Sequence, residues 1–582
     1  MPFFLRIKPI LWFTTLGVTV FGAASAFAQQ PPREDCPRPA SGSAVAAPED
    51  LRSASGVLKV RLTYRSSVDS AGQTRYCYVD EHGNLAPTLR VHPGDEVRLE
   101  LKNEAAPSAL SKGMATHGAA KPEDCTSGSI TGTSTNLHFH GLTIPPTCHQ
   151  DDVLTTTVDA GDPPFEYKFQ IPANQPPGLY WYHPHVHGLT KEQVLGGASG
   201  ALIVEGIENM VPEIGGLPER VLIIRDQNLI NPNAVPAGGP ASIPPVILDR
   251  DGDAVNTGTG TGKPAKDLSL NFVPVPYPDY PPAVIAMKPG ERQLWRLLNA
   301  SAITYLNLQI VFNGVTQQVG VVALDGAPLN QNGLGGAGIV QLTHLGVPPG
   351  GRVEFVVKGP AEGVKASLVT RSVNTGAIGE NDPARRIANI VASTDAEPAA
   401  ILPASSPKPS AKTEEWLGNA KPVRTRRLYF SEKPRDAKDP SGPADFYLTV
   451  DGQEPKLFDP SSTTPDIVVR QGDVEDWIIE NRSREVHAFH IHQVHFVMLE
   501  WDGLPINEPY LRDTVNVPFW DGITKKYPVV KLRLDFRDPN SVGTFVYHCH
   551  VLEHEDGGMM GLIRVEPALG VTSRPPKESG QP

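Results

Sequence analysis

Near the end of the chain, Tyr547–Met560 reads YHCHVLEHEDGGMM, which sets Cys549 between His548 and His550, with His554 and Met559 close behind. A lone thiol packs as a small hydrophobe, whereas a thiol among imidazoles and a thioether is a set of soft and borderline metal ligands. Three further histidine clusters precede it: His138-x-His140, His183-x-His185 and His487-x-x-His490-x-His492. Ten of the 17 histidines fall in these four places. On a strand, residues i and i+2 share a face. Each HxH therefore aims two imidazoles the same way, and Cys549 faces opposite to its two neighbours.

Two ligand groups follow. Cys549, His554, Met559 and His487 make the His2Cys set with a weak thioether that suits a blue copper electron-transfer site. Structural zinc, the rival for Cys and His, prefers four strong ligands in CxxC or HxxxH spacings, and the thioether argues against it. The other face gathers His138, His140, His183, His185, His490, His492, His548 and His550. Eight imidazoles exceed the needs of one ion, so several ions are expected, with positions open for a small ligand.

The elements that must position these residues recur along the chain. HPGDEVRLELKN (His92–Asn103), KPGERQLWRLLN (Lys288–Asn299) and RQGDVEDWIIEN (Arg470–Asn481) each run from a Gly with an acidic neighbour, through alternating apolar positions, to an Asn. Each reads as a turn feeding a strand of period two. GLYWYHPH from Gly178 matches GTFVYHCH from Gly543, and NLHFHGL (Asn136–Leu142) pairs with AFHIHQV (Ala488–Val494). With Gly 54 and Pro 58 and short alternating strands throughout, the expectation is all-β: three sandwich domains, about 45–206, 217–395 and 424–568. The Pro/Ala/Ser/Lys-rich stretch 396–423 reads as a linker. The middle copy has no HxH; its histidine is His344.

These four segments resemble the signature motifs of the multicopper oxidases, the family of laccases, ascorbate oxidase and bacterial copper efflux oxidases. The resemblance spans nearly the whole mature chain and implies three cupredoxin-like Greek-key domains and four copper ions. By that resemblance His487, Cys549, His554 and Met559 hold type 1 copper, and His138 and His490 hold type 2. The type 3 pair falls to His140, His183, His185, His492, His548 and His550. It also implies that electrons enter at type 1 copper and pass through Cys549 to the cluster, where dioxygen takes four and becomes water. Glu555, Asp151 and Asp152 match carboxylates that deliver protons in the family, and a fixed acid beside a site that forms water suits that task. His149, His187 and His495 lie off the pattern and read as supporting or structural residues. Ala488 stands where the family has Pro, which predicts a looser turn. With Met 7 and no Met-rich insertion, a cuprous specialisation is less favoured. The axial Met implies a type 1 potential in the lower or middle range.

The implied function is a laccase-like oxidation of phenols or aromatic amines coupled to dioxygen reduction. Its alternative is a metallo-oxidase acting on Cu(I), Fe(II) or Mn(II). A scaffold without copper would lack ligands, and all twelve positions are filled. The net charge of -12 argues against nucleic acid and anionic membrane surfaces as partners. Arg6 and Lys8, the apolar run Ile10–Ala24 and Ala26-Phe27-Ala28 read as a secretory signal cleaved after Ala28. The mature chain is then periplasmic or secreted, expected as a monomer free of the membrane. In that oxidising compartment Cys36, Cys77, Cys125 and Cys148 can form two disulfides, in three possible pairings, while a metal holds Cys549.

Overall fold

A computed structural model describes residues 35–106, 125, 130–234, 262–330, 338–396, 400–404, 415–436, 438, 443–506 and 508–568. The proposed signal segment lies outside the described residues, as does 405–414 of the expected linker.

The three repeated segments form corresponding strands, Glu96–Asn103, Arg292–Asn299 and Val474–Asn481. Each follows a glycine with positive φ: Gly94 at 90°, Gly290 at 74° and Gly472 at 101°. Side chains rarely adopt that conformation, which is why the turn keeps glycine. Each strand pairs in parallel with an early strand of its unit: Val57–Val68, Pro218–Gln227 or Arg424–Pro434.

The terminal asparagine does the same work in all three copies. Asn103 donates through Nδ2 to the carbonyls of Thr133 and Val158, at 2.7 and 2.8 Å. Asn299 donates to those of Thr304, Val347 and Pro348, at 3.0, 3.0 and 2.9 Å. Asn481 donates to those of Glu485 and Val517, at 2.7 and 3.3 Å. Its Oδ1 accepts the amide two residues on, from Ala105, Ser301 or Ser483. A short amide side chain thus fixes the loop that leaves each strand, satisfying buried carbonyls that the sheet cannot.

The described strands fall into three pairs of sheets: a five- and a four-stranded sheet, a nine- and a six-stranded sheet, and a six- and a five-stranded sheet. Each pair encloses an apolar core, the first around Leu99, Phe139 and Tyr180, the middle around Trp295 and Phe355, the third around Trp477 and Phe489. Each fully buried large apolar side chain contributes about 1.5–3 kcal/mol, so these cores, rather than the histidines, carry the fold. The architecture is all-β and cupredoxin-like. Ala400–Ile401, at the start of the expected linker, pairs antiparallel with Pro218–Gln227 and so belongs to the middle sheet. Among the described residues no helix is long and apolar enough to cross a membrane.

Two disulfides close, Cys36–Cys77 and Cys125–Cys148, and Cys549 is a free, buried thiol.

Candidate metal centre

The HxH segments lie on neighbouring strands of the five-stranded sheets. His138–His140 pairs antiparallel with Gly178–His183, which sets His138 opposite His183. His487–Ile491 pairs with Gly543–Cys549, which sets His490 opposite His548 and Phe489 opposite Cys549. His487 and Phe489 share a face by the two-residue period, so Cys549 and His487 meet on the core side while His490 and His548 meet on the other. The looser turn expected at Ala488 is instead part of this regular strand, with the Ala488 carbonyl accepting the His550 amide at 2.6 Å.

On the core side, Cys549 Sγ lies 3.5 Å from His487 Nδ1 and 3.7 Å from His554 Nδ1, and the two imidazole nitrogens are 3.2 Å apart. His554 comes from the short helix Leu552–Asp556 that follows the strand. Met559 is fully buried in the same core. Its amide donates to the His554 carbonyl at 2.8 Å and its carbonyl accepts the Cys549 amide at 3.1 Å, which closes the loop around the thiol. The remaining nitrogens of both histidines are engaged. His487 Nε2 lies 2.7 Å from Ser483 Oγ and 3.2 Å from Glu432 Oε1, and His554 Nε2 lies 2.7 Å from Glu485 Oε1. Phe446 stacks on the His554 ring with centroids 4.4 Å apart. Neither carboxylate carries a sequence signal: Glu432 lies on the strand Arg424–Pro434 with no motif around it, and loop packing brings Glu485 here. Burial, and then the neighbouring Glu432 carboxylate, push Glu485 well above the usual carboxylate range.

On the other side the eight expected histidines converge, each at most 2% exposed. His492 Nε2 and His185 Nε2 lie 3.2 and 3.4 Å from His548 Nε2. His138 stacks on His492 and His140 on His490, with centroids 3.8 and 3.9 Å apart. Burial holds all eight rings below the ordinary imidazole range, to about 4 for His185 and His548 and about 3 for His490. The rings are therefore neutral, the form that ligates metal.

A neutral imidazole that donates through one nitrogen offers a lone pair at the other, so the outer contacts decide which nitrogen faces inward. His138 Nδ1 donates to Asp151 at 3.0 Å, His183 Nδ1 to the Pro184 carbonyl at 2.9 Å, and His490 Nδ1 to the Asp513 carbonyl at 2.8 Å. His548 Nδ1 donates to the Cys549 carbonyl at 3.0 Å, and His140 Nε2 to Asp513 Oδ1 at 3.3 Å. The nitrogens left without a hydrogen-bond partner include His138 Nε2, His140 Nδ1, His183 Nε2 and His490 Nε2, the inward ones in each case. Orphaned buried lone pairs pointing at one another fit metal ions, and the donor set fits copper: imidazoles throughout on one side, thiol and imidazoles on the other.

The candidate carboxylates separate. Asp151 is buried, accepts the Phe139 amide at 2.9 Å and holds His138. Asp152 is half-buried and accepts the amides of Leu154 and Thr155, as a turn residue does. Glu555 is fully buried, with Oε2 3.0 Å from His548 Nδ1 and Oε1 3.6 Å from His185 Nε2. Burial outweighs nearby His185 and raises its carboxyl above the usual range. His149 and His495 stay outside the cluster: His149 Nδ1 contacts the Glu166 carbonyl at 2.6 Å, and His495 is buried, its proton affinity lowered by burial. His187 is half-buried and, with His185, lines a cavity of about 230 Å³ walled by Val153, Val186, Phe458, Val546 and Met560. Asp513 escaped the sequence reading, because it follows His490 by 23 positions with no motif spacing.

A buried thiol, backed on one strand by two members of an eight-imidazole cage that two cupredoxin-like sandwiches build, suits a copper oxidoreductase. Multicopper oxidase family models match residues 127–209 and 437–568. The multicopper oxidase mco of Staphylococcus epidermidis is 26% identical over 498 residues, covering 83% of each chain. A Bacillus subtilis laccase is 23% identical over 457 residues, covering 73% of this chain and 78% of that one. Among solved structures, the McoA multicopper oxidase of Aquifex aeolicus superposes with a TM-score of 0.62 at 18% identity, over 90% of this chain and 100% of that one. The chain belongs to the multicopper oxidase family and is an oxidoreductase of it.

Proposed function

We propose that this chain couples the one-electron oxidation of phenols or aromatic amines to the four-electron reduction of dioxygen to water. The observation that carries this reading is the position of Cys549: its thiol belongs to the His487–His554 group, while its covalent neighbours His548 and His550 belong to the eight-histidine group. Copper at the two groups would supply one-electron exchange on the thiol side and dioxygen reduction on the imidazole side. His487, Cys549, His554 and Met559 are the type 1 ligands in this reading, and His138 and His490 the type 2 ligands. His140, His183, His185, His492, His548 and His550 hold the type 3 pair.

The chain's own part is conduction, orientation and proton supply. Cys549 joins the two groups through a few covalent bonds, and the His548 Nδ1–H donated to its carbonyl at 3.0 Å offers a second path. Asp151 keeps His138 Nδ1 protonated and its Nε2 turned inward. Glu555 holds a proton between His185 and His548, where water is made. The apolar cavity beside His185 suits entry of a small apolar molecule such as dioxygen. Three domains, near 45–206, 217–395 and 424–568, make up the chain, and the first and third carry these parts. The chain works in the periplasm or as a secreted protein, a compartment that suits its two disulfides.

One observation favours a second reading, with Fe(II), Cu(I) or Mn(II) as reductant. Glu432 sets a carboxylate against the outer nitrogen of His487; despite burial, that contact holds it below the usual carboxylate range, and its negative charge attracts cations. Assaying copper-loaded protein with a phenol, Fe(II) and Cu(I) side by side, by dioxygen uptake, separates the two. Turnover of the phenol supports the first, and turnover of metal ions alone supports the second. No uptake with any of them overturns both.

A further inference from the structure

The middle sandwich supplies no histidine to either group, yet its residues reach the cluster. Arg352 opens the strand Arg352–Lys358 and is fully buried. Its guanidinium forks onto Asp513, with NH1 to Oδ1 at 2.8 Å and NH2 to Oδ2 at 2.6 Å. NH1 also donates to the Gly350 carbonyl at 3.1 Å, and Nε to the Leu179 carbonyl of the first sandwich at 3.2 Å. Asp325, also from the middle sandwich, accepts the Arg352 amide at 3.0 Å and the amides of Asp513 and Thr514, each at 3.4 Å.

Asp513 in turn holds two stacked rings of the cluster. Its Oδ1 accepts from His140 Nε2 at 3.3 Å, and its carbonyl accepts from His490 Nδ1 at 2.8 Å. Those two donations fix which nitrogens of His140 and His490 face inward. Gly350 presses on a third ring: a Cβ there would lie 2.8 Å from His550 Cε1 and Nε2.

We propose that Arg352 is a positioning residue for the histidine cluster, by which the ligand-free middle sandwich sets the spacing and tautomers of His140 and His490 through Asp513. The inference rests on the cluster reading given above. A two-pronged guanidinium fixes the orientation of a carboxylate, where a lysine would supply charge alone. Partners of ligating histidines typically alter metal affinity by about ten- to a hundredfold.

The test uses full-length protein loaded with copper, comparing wild type with Arg352→Met and Arg352→Lys. The readouts are bound copper per chain, the blue type 1 band, and the type 2 electron paramagnetic resonance signal. Arg352→Met should keep the blue band, lose cluster copper roughly ten- to a hundredfold more readily in a chelator titration, and show altered type 2 hyperfine splitting. Arg352→Lys should fall between. Arg296→Met is the control for general damage, since Arg296 is equally buried but is held by Glu219 at 2.7 Å and by Glu354. It should lower thermal stability with the type 2 splitting unchanged. If Arg352→Met does not fold, Asp513→Asn, which keeps shape and drops charge, should give the same altered type 2 signal. An unchanged type 2 signal in Arg352→Met or Asp513→Asn overturns the proposal, as does parallel loss of blue colour and cluster copper. Wild type lacking both copper signals would instead sink the oxidase reading itself.

Discussion

His548 Nδ1 donates to the carbonyl of Cys549 at 3.0 Å, so these two adjacent residues are joined both by the chain and by a hydrogen bond. Their side chains nevertheless serve opposite faces of one strand. That pairing of contact and divergence lets two groups of candidate metal ligands sit back to back with almost nothing between them.

Glu555 should matter for proton delivery and not for colour. Glu555→Gln keeps the volume and removes the acid, so reoxidation by dioxygen should slow by roughly 10²–10⁴-fold while anaerobic reduction and the blue band persist. Its proton affinity is raised by burial, so wild-type turnover should fall as pH rises through that raised value, and the variant should lose this limb. Stopped-flow reoxidation across pH checks both points.

Asp151→Asn leaves His138 Nδ1 without a carboxylate. Affinity for the copper held by His138 should drop about ten- to a hundredfold, with type 1 colour unchanged. Chelator titration followed by metal analysis measures it.

If cations are the reductants, Glu432→Gln should raise the KM for Fe(II) by about tenfold, or about 1.4 kcal/mol of lost attraction. The KM for a neutral phenol should stay within about twofold. Equal changes for both reductants would remove the argument for a cation site at Glu432.

Asp382 gives a stability prediction. It is buried, which raises it to about 7 even though it accepts the Tyr305 amide at 2.9 Å and has Arg385 nearby. An acid raised on folding stabilises fully below its unfolded value of about 4, and the contribution is lost as pH climbs to about 7. The full swing is about 4 kcal/mol at most. Asp382→Asn should match wild type in thermal unfolding near about pH 3, below the unfolded value, and exceed it near about pH 8. A constant offset between the two pH values would contradict this.

The sites were legible in the sequence wherever a strand carried them. The two-residue period placed His548 and His550 opposite Cys549, and the repeated Gly-to-Asn segments placed the strands beneath them. What escaped came from loops and from other sandwiches. Asp513 and Glu485 act through loop geometry that has no periodic signature, and Arg352 lies in a unit with no ligand to draw notice. Asp151 and Asp152 are adjacent in sequence, but only packing decides that Asp151 turns inward to His138 while Asp152 caps a turn.

The most direct test replaces the single atom on which both groups depend. Wild type and Cys549→Ser are loaded with copper, and each is measured for visible absorption, bound copper and dioxygen uptake. Wild type should be intensely blue and consume about one dioxygen per four electrons supplied, the stoichiometry of complete reduction to water. Cys549→Ser should lose the colour and the turnover together while the histidine cluster keeps its copper. Colourless wild type after loading, or a serine variant that still turns over, would contradict the account.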